Sequence, residues 1–447
     1  MLEVMGWKML NPKSDFLRSR RYLAYGALML IMTAVLMIML LSYERGHALL
    51  VGPLTMAVSA AAAMCLSGRW RRLPAVYWVG FALVMWHAFS RVAGGDHYIQ
   101  MYDSRMNVAG LTTIFGLAFP CAFYLKDERQ PAVLGAVLAA CTCFFALVNG
   151  LGIAAAATGR VVYLPFFGNE FGIMRDGRLW VLGRNPFYTS FFGVCGALLA
   201  PYLAARWGSR KWLLPVLALE WLFLTSVRMS ASRSGIILCC AGVPAALMLM
   251  LAQWWPALRR RRYGVLCLLA AASAAILCLL AAPHIVSPLR DLRPRRSITA
   301  DLPSFTGRTE VWAAIFPLFR DHPLRLLTGF LENRLVGPLN KYTVTTTWTH
   351  MHNAYLQTLV LGGVPALVLA LLLTAGAFAS GLKVLRSHPS CALRILVVFQ
   401  LVFWVQMQIE PYLFIDSSLF NFLFFLTTGY IVEESRALPP LFAKKRS

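Results

Sequence analysis

The sequence predicts an all-α polytopic integral membrane protein. Of the 447 residues, 59% are hydrophobic and only 14% are charged, and the mean hydropathy is +0.63. Soluble proteins average about 45–50% apolar and about 25% charged residues, which excludes a single soluble domain. Apolar stretches long enough to cross a hydrocarbon core of about 30 Å, which takes roughly 20 residues, recur along almost the whole chain.

The apolar stretches, taken in chain order, predict about twelve transmembrane helices. The first follows Arg18, Arg20 and Arg21, and no small-residue cleavage site comes after it, so we interpret it as a retained span and not as a removed signal peptide. The predicted spans are 23–42, 48–66, 75–91, 107–124, 131–149, 187–205, 211–228, 234–255, 263–282, 354–380, 393–411 and 416–432.

The positions of Lys and Arg predict that both chain ends are cytoplasmic. With the N-terminus inside, every inside loop is basic, and the inside segments together hold more than half of the 42 Lys and Arg. Cytoplasmic loops accumulate these residues, so topology accounts for much of the net charge of +23 and no nucleic-acid partner is inferred. Most of the other Lys and Arg lie in two long outer loops, 150–186 and 283–353, which this rule does not govern.

The plan of spans divides the chain into three parts. Residues 1–282 hold the first nine spans, residues 283–353 form a large outer loop with short helices, and residues 354–447 hold the last three spans and a short cytoplasmic tail. A long loop inside a compact protein usually carries function. We therefore expect the chemistry to lie in or beside residues 283–353.

Several kinds of site are excluded by what the sequence lacks. It contains no P-loop, no glycine-rich dinucleotide motif and no paired acidic motif, which argues against an ATP-driven pump and a metal-dependent glycosyltransferase. The ten Cys lie within or at the ends of predicted spans, where a free thiol packs as a small hydrophobe. No metal site is predicted from them, because they have no partner cluster of Cys or His.

The first candidate site is Ser232-Arg233-Ser234-Gly235, in a short outer turn where the eighth span begins. A helix N-terminus presents free backbone N–H groups and a partial positive charge, so Arg233 is well suited to bind a phosphate oxygen. The alternative interpretation is an arginine that anchors the helix end by extending to the membrane interface.

The second candidate is Gly307-Arg308, at the start of a segment with apolar residues at helical spacing. This spacing predicts an amphipathic helix on the outer membrane face, with Arg308 at its start. The alternative is a solvated Arg308 paired with Glu310 or Asp321. The apolar positions are Val311, Trp312, Ile315, Phe316 and Phe319.

The third candidate is the pair His350 and His352 with Asn353, directly before the tenth span. Histidine exchanges a proton near neutral pH and is therefore a candidate general base. The alternatives are a structural pair or a metal site, although no third ligand is evident nearby. Arg184, before the sixth span, and Arg228, close to the first candidate, are weaker positions that bind phosphate or anchor helix ends.

Together these residues resemble the family of O-antigen ligases and the related O-antigen polymerases. The ligase-type pattern is His, then Asn, Ser or Gln, nine residues, and Gly-x-x-(Gly/Thr/Tyr). His352-Asn353 and Gly363 fit this pattern, whereas Ala366 departs from its last position, so ligase and polymerase both stay open. The other matching elements are Ser232-Arg233, Gly307-Arg308 with Trp312, His322-Pro323-Leu324, and Ala-Tyr355-Leu356-Gln357 ahead of Gly362.

The resemblance implies a glycosyltransferase of lipopolysaccharide biosynthesis in the bacterial inner membrane. Its donor would be a polysaccharide on undecaprenyl diphosphate, and its acceptor a sugar hydroxyl of the lipid A-core oligosaccharide. The fold would be similar to GT-C-type lipid-linked-sugar transferases, with the active site facing the periplasm, so that residues 283–353 form a periplasmic loop. No cofactor and no metal are implied.

The residue chemistry suggests a role for each candidate in that reaction. Arg233 and Arg308 would stabilise the charge that grows on the diphosphate leaving group, and His352 would take the proton of the attacking hydroxyl. A single displacement would invert the anomeric centre. The residues expected to bind substrate beside these three are His350, Asn353, Arg184 and Arg228.

Three other functions are compatible with the sequence. An O-antigen polymerase would use the same donor with a second lipid-linked glycan as acceptor. A protein O-oligosaccharyltransferase usually carries an extra soluble C-terminal region, whereas about 15 residues follow the last predicted span here. A transporter for an anionic lipid should carry charged groups at membrane depth, and Glu220, near the middle of span seven, is the clearest such residue.

Overall fold

The structure of the protein is a computed structural model. It describes residues between 26 and 38 with single-residue gaps, and then 73–93, 129–164, 169–175, 178–181, 186–258, 308–330, 332–343, 350–409 and 418–439. The predicted spans 48–66, 107–124 and 263–282 lie outside the described residues.

The described residues are mostly helical, as the sequence predicts. The residues described between 26 and 38 are helical and fall within the first predicted span. The helices that follow are, in chain order, α1 Ala75–Ala93, α2 Arg129–Thr158, α3 Pro186–Trp207, α4 Leu213–Ser230, α5 Arg233–Leu258, α6 Arg308–Ala313, α7 Ile315–Asp321, α8 Arg325–Thr328, α9 Glu332–Asn340, α10 Ala354–Ser387, α11 Cys391–Met407 and α12 Ser418–Arg436.

The long helices correspond to predicted spans. Within the described part of the chain, α2 to α5 and α10 contain segments long and apolar enough to cross a membrane, which agrees with a multi-pass membrane protein. Helices α1, α11 and α12 coincide with the third, eleventh and twelfth predicted spans. The total of twelve spans stays a prediction, because three of them are outside the described residues.

The chain forms two compact units. The first comprises residues 1–48, 123–292 and 387–402, and the second residues 49–122, 293–386 and 403–447. The first candidate site, at Arg233, therefore belongs to the first unit. The second and third candidates, at Arg308 and His352, belong to the second unit.

In the first unit, α3 is buried along its apolar length and packs closely on α4 and α5. Small residues allow this approach: a Cβ added to Gly196 of α3 would lie 2.3 Å from the ring of Phe223 in α4, and one added to Gly235 of α5 would lie 2.6 Å from the side chain of Ser190 in α3. Membrane helices commonly use small residues at their contacts because apolar side chains gain nothing by leaving lipid. The glycines of α3 and α5 therefore set the packing of this unit.

The loop between α2 and α3 differs from its prediction. The sequence predicts an outer loop from residue 150, but α2 continues to Thr158 and ends before Gly159, which has a left-handed φ of +65°. The extension follows from the run Ala154–Ala157, since Ala is the best helix former. Two antiparallel hairpins follow, β1 Val162–Leu164 with β2 Asn169–Phe171, and β3 Ile173–Arg175 with β4 Arg178–Trp180. Strands of three residues are too short to show an alternating pattern.

In the second unit, α10 is broken at Gly363, whose φ of 71° and ψ of −172° are not helical. The segment 325–330, which comprises α8 and the two residues after it, packs into this break: a Cβ on Gly363 would lie 2.5 Å from the carbonyl oxygens of Leu326 and Leu327. The N–H of Phe330 donates to the carbonyl of Val360 at 2.6 Å. A span predicted as continuous is therefore an interrupted helix with a loop segment held in the interruption.

Trp86 of α1 supports the same break. Its Nε1–H donates to the carbonyl oxygen of Gly362 at 2.7 Å, so this backbone group keeps a partner where the helix ladder is interrupted. Irregular backbone at membrane depth requires such side-chain partners, because lipid offers none. Pro365, which has no N–H, lies just beyond the break and removes one helical bond of its own.

The described part of the predicted loop 283–353 contains the short helices α6 to α9, in agreement with the prediction of short helices there. The C-terminal end of α7 is tied to the residues after α9 through Asp321. Its carboxylate accepts a hydrogen bond from the hydroxyl of Tyr342 and lies 3.6 Å from the ammonium of Lys341. The Tyr342 hydrogen bond holds the pKa of Asp321 below its usual value.

The amphipathic helix predicted from residue 308 is divided into α6 and α7 by a turn at Ala314. Val311, Ile315 and Phe319 are buried, which agrees with one apolar face, but Phe316 is 81% exposed. At 3.6 residues per turn, Phe316 lies about 100° around the helix from Ile315, so it points away from that face. Contact of these helices with the membrane stays a prediction.

Candidate functional site

Asn353 caps the N-terminus of α10. Its Oδ1 accepts hydrogen bonds from the backbone N–H groups of Tyr355 at 2.9 Å and Leu356 at 3.0 Å, which satisfies two donors that a helix start leaves open. Its Nδ2 donates to the carbonyl and the side-chain oxygen of Gln408, at 3.3 and 3.4 Å. Asn353 therefore connects the start of α10 to the residues that follow α11.

Met351 is held through both of its backbone groups. Its N–H donates to Oε1 of Gln357 at 2.7 Å, and its carbonyl accepts from Nε1–H of Trp312 at 2.7 Å. Met351 is fully buried and Gln357 is 1% exposed. These bonds fasten the turn before α10 to α10 itself and to α6.

His352 lies between these two fixed residues and has a φ of 49°. The left-handed region costs a residue with a Cβ about 1–2 kcal/mol. Such conformations persist where the surrounding structure over-determines them, often at functional sites. Here the hydrogen bonds of Met351 on one side and of Asn353 on the other hold His352 in this conformation.

The two histidines lie side by side. The ring centroids of His350 and His352 are 4.0 Å apart at an interplanar angle of 57°, and both residues are half-buried. A half-buried imidazole can reach a substrate and still be held in place by its neighbours. This arrangement suits a group that exchanges a proton with a bound molecule.

Arg308 is the first residue of α6 and is half-buried, which agrees with its predicted place at a helix start. Trp312, in the same helix, makes the hydrogen bond to the carbonyl of Met351. One hydrogen bond thus connects the helix that carries Arg308 to the turn that carries His352. The second and third candidate sites are therefore parts of one arrangement within the second unit.

The sequence element His322-Pro323-Leu324 has a packing role in the structure. The ring of His322 meets that of Phe330 edge-on at 5.5 Å, and the guanidinium of Arg325 lies 5.8 Å from the same ring. Phe330 also contacts Phe319 and is bonded to α10 through its backbone. This element thus holds the loop segment in the break of α10.

In the first unit, Arg233 is the first residue of α5, as predicted. Ser232 caps this helix: its carbonyl accepts from the N–H of Ile236 at 3.1 Å, and its hydroxyl from the N–H of Gly235 at 3.4 Å. The turn from α4 passes through Ala231, whose φ of 48° is left-handed. The structure describes the backbone of Arg233, which lies at a capped helix N-terminus.

The two weaker candidates differ in what the structure describes. Arg228 is an exposed residue in the last turn of α4, where its carbonyl accepts from the N–H of Ala231 at 3.0 Å. A cation in the last turn of a helix also interacts favourably with the helix dipole. Arg184 lies outside the described residues.

Several residues of this arrangement have no role in the sequence-based prediction. Gln408 and Trp86 lie far from the motif in sequence, and Trp312 and Gln357 appear in it without an assigned task. One signal was available: a polar group in an apolar stretch is costly unless it is hydrogen-bonded, so Trp86 and Gln357 each required a partner. The identity of that partner depends on the fold.

In the part of the chain that the structure describes, no group of three His, Cys, Asp or Glu side chains is close enough to hold a metal ion. The described cysteines are free thiols, namely Cys141, Cys143, Cys195, Cys239, Cys240 and Cys391.

The comparisons with known proteins bear on the same region. Residues 218–371 match the protein-family model described as O-antigen ligase. The matched range includes Arg228, Arg233, Arg308, His352 and Gly363, and it confirms the resemblance inferred from the sequence. A search of curated proteins found no match.

Proposed function

We propose that this chain, whose residues 218–371 match the family model described as O-antigen ligase, is a ligase that transfers a polysaccharide from undecaprenyl diphosphate to a sugar hydroxyl of lipid A-core. Members of this family are glycosyltransferase-like enzymes of ligase or polymerase type. The observation that carries the proposal is the fixed, left-handed His352 beside the capped start of α10.

The proposed chemistry is a single displacement. An imidazole nitrogen of His352 takes the proton of the acceptor hydroxyl as the oxygen attacks the anomeric carbon of the donor. The bond from that carbon to the diphosphate oxygen breaks, and undecaprenyl diphosphate leaves with the electron pair. The new glycosidic bond has inverted configuration, and His350 is proposed to orient the acceptor or His352.

Negative charge grows on the diphosphate as its bond breaks. Fixed guanidinium groups stabilise such charge with two directed hydrogen bonds each and need no metal to do so. We assign this role to Arg308 and Arg233, each of which begins a helix, with Arg184, Arg228 and Asn353 as further substrate contacts. The reaction is therefore expected to continue when a chelator removes divalent cations.

The base assignment is tested with purified protein in detergent, lipid-linked donor and lipid A-core. His352→Ala is expected to lower kcat by about 10²–10⁴-fold, the usual contribution of a general base. His388→Ala provides a matched control, because His388 lies in the connection between α10 and α11. Its Nδ1 accepts a hydrogen bond from the N–H of Ser390 at 3.1 Å. Normal turnover in His352→Ala would exclude His352 as the base.

The charge assignment is tested in the same assay. Arg308→Ala is expected to lose activity, and Arg308→Lys to recover part of it, because Lys keeps the charge and loses the two-pronged geometry. Arg320→Ala is the control from the same loop: its side chain is 79% exposed and pairs with Asp321. Arg233→Ala should behave as Arg308→Ala, with exposed Arg210→Ala as control. Full activity in either Ala variant would remove that arginine from the proposal.

An O-antigen polymerase is the second candidate, and Ala366 favours it. The ligase-type pattern has Gly, Thr or Tyr at this position, whereas Ala366 is fully buried and a Cβ on Gly362 would lie 2.5 Å from its methyl group. The assay separates the two functions when lipid A-core and a second lipid-linked glycan are offered as alternative acceptors. Transfer only to the lipid-linked glycan would replace the ligase proposal.

The same assay addresses the other two functions. A Ser- or Thr-containing acceptor protein tests for a protein O-oligosaccharyltransferase, and lipid movement without transfer would indicate a transporter. The structural feature that favours transport is Glu220, which is 4% exposed within α4 and whose carboxylate has no hydrogen-bond partner among the described residues. Glu220→Gln is expected to leave glycan transfer unchanged if the transferase proposal holds.

A further inference from the structure

The peptide groups on both sides of Met351, the residue directly before His352, are tied to other elements. Trp312 of α6 holds the peptide between Met351 and His352, because its indole N–H donates to the Met351 carbonyl at 2.7 Å. Gln357 of α10 holds the preceding peptide through the Met351 N–H, also at 2.7 Å. Asn353 fixes the chain that follows by capping α10.

These ties determine where the His352 side chain points. The direction of a side chain is set by the backbone torsions of its residue, and the φ of His352 is rare for a residue with a Cβ. Releasing either bond of Met351 allows its peptide to rotate, and His352 can then return to the common right-handed or extended regions. The imidazole would leave its place even though its own atoms are unchanged.

We propose that Trp312 and Gln357 are positioning residues that hold His352 in its left-handed conformation and thereby aim its imidazole at the acceptor hydroxyl. This inference rests on the proposed function of His352 as the base. Neither residue needs to touch the substrate, because Gln357 is buried and the indole N–H of Trp312 is engaged by the Met351 carbonyl.

A purely structural role is the alternative, in which the two bonds only attach α6 to α10. The two roles differ in their kinetics. If the His352 imidazole loses its orientation, proton transfer is slower and kcat falls, while substrate binding and KM are largely kept. Loss of the attachment would instead lower the amount of folded protein and reduce all activities in proportion.

The experiment uses the full-length protein with Trp312→Phe and Gln357→Met, which remove the donor and the acceptor and keep apolar bulk. Misplacement of a catalytic group by about 1 Å can cost about 10²-fold, so we expect kcat to fall towards that level with thermal unfolding little changed. Gln357→Glu keeps an acceptor oxygen and should retain more kcat than Gln357→Met. Gln253→Met is the control, because it removes a comparable 3.0 Å hydrogen bond to Ala205 within the first unit.

A double-mutant cycle separates positioning from general stability. If Trp312 acts through His352, Trp312→Phe lowers kcat in the otherwise unchanged protein but has no further effect on the residual activity of His352→Ala. Equal losses in both backgrounds, or normal kcat in folded Trp312→Phe and Gln357→Met, would overturn the inference. Normal activity in His352→Ala alone would instead overturn the proposed function, so the two failures are distinguishable.

Discussion

Asn353 shows how a polar side chain directly after the histidine supports the turn before α10. Its side-chain oxygen accepts from two N–H groups at the start of α10, and its amide donates to Gln408. A helix-capping oxygen is supplied equally well by Ser, which the ligase-type pattern also allows at this position. The residue thus combines a cap for α10 with a fixed end for the turn that carries His352.

This role predicts a graded series at position 353. Asn353→Ala removes the cap and should destabilise the protein by about 0.5–2 kcal/mol, the range for loss of a capping side chain. Asn353→Ser should keep the capping bond and lose only the contacts to Gln408. Thermal unfolding in detergent measures the order, and an Asn353→Ala protein as stable as Asn353→Ser would contradict the capping role.

Asp321 and Tyr342 give a pH-dependent contact in the loop. The hydroxyl of Tyr342 donates to the carboxylate, which lowers the pKa of Asp321 and raises that of Tyr342. A carboxyl whose pKa is lower in the folded state stabilises that state above its unfolded pKa, and this contribution is lost as the pH falls through the folded value.

We therefore expect Tyr342→Phe to be less stable than the unchanged protein near neutral pH, with the difference disappearing below the ordinary Asp value of 3.8. Unfolding midpoints measured across this range test the contact. Tyr163→Phe is the control, since Tyr163 is an exposed tyrosine of the first unit. A difference that stays constant at acid pH would show that the hydrogen bond to the carboxylate is not its cause.

At the residue scale, the sequence predicts some residues of the candidate site and not others. The spacing and chemistry of His352, Asn353 and Arg308 identify them as candidates from the sequence alone. The bonds of Met351 cannot be identified in this way, because Trp312 lies 39 residues away in sequence and Gln357 lies about one turn into a helix whose start must be known first. Local pattern identifies reactive residues, whereas the groups that position them are contributed by distant segments.

At the scale of elements, hydropathy predicts the helices well where nearby residues in the sequence determine the helix ends. Spans predicted at 187–205 and 211–228 are observed as α3 and α4 with ends within a few residues. Charged residues beside the apolar runs mark these ends. The interruption of α10 could not be predicted in the same way, because it depends on the loop segment 325–330 that packs into it.

The break in α10 predicts a strict requirement for glycine at position 363. Its φ of 71° strains any residue with a Cβ, and that Cβ would lie 2.5 Å from two backbone carbonyl oxygens that cannot move independently. Gly363→Ala should therefore displace the segment of α8 and lower both thermal stability and transfer activity.

The matched control for that substitution is Gly337→Ala. Gly337 lies in α9 of the same unit, and a Cβ added there would meet nothing within 4 Å. Replacing a helical Gly by Ala without strain is neutral or stabilising by about 0.4–1 kcal/mol. If both alanine variants behaved alike, the special conformation of Gly363 would not be important for the fold.

For the whole molecule, composition established the class of protein and charge suggested its orientation. The described residues are mostly helical with several apolar spans, in agreement with the predicted class. The two β-hairpins after α2 were not predicted, because short strands leave no signal in composition or periodicity. Orientation depends on loops that were assigned from their Lys and Arg alone, so it requires its own test.

The charge distribution predicts that the turn between α3 and α4 is cytoplasmic, since it carries Arg206, Arg210 and Lys211, and that the loop with α6 to α9 is periplasmic. Cysteine substitutions test this in cells. Leu324→Cys, at a side chain that is 81% exposed, should react with a membrane-impermeant maleimide once the outer membrane is opened. Ser209→Cys should react only after the inner membrane is also permeabilised, with the unchanged protein giving the background from its native cysteines. The reverse order of labelling would place the His352 turn in the cytoplasm, away from a donor presented at the periplasmic face, and would exclude the proposed reaction.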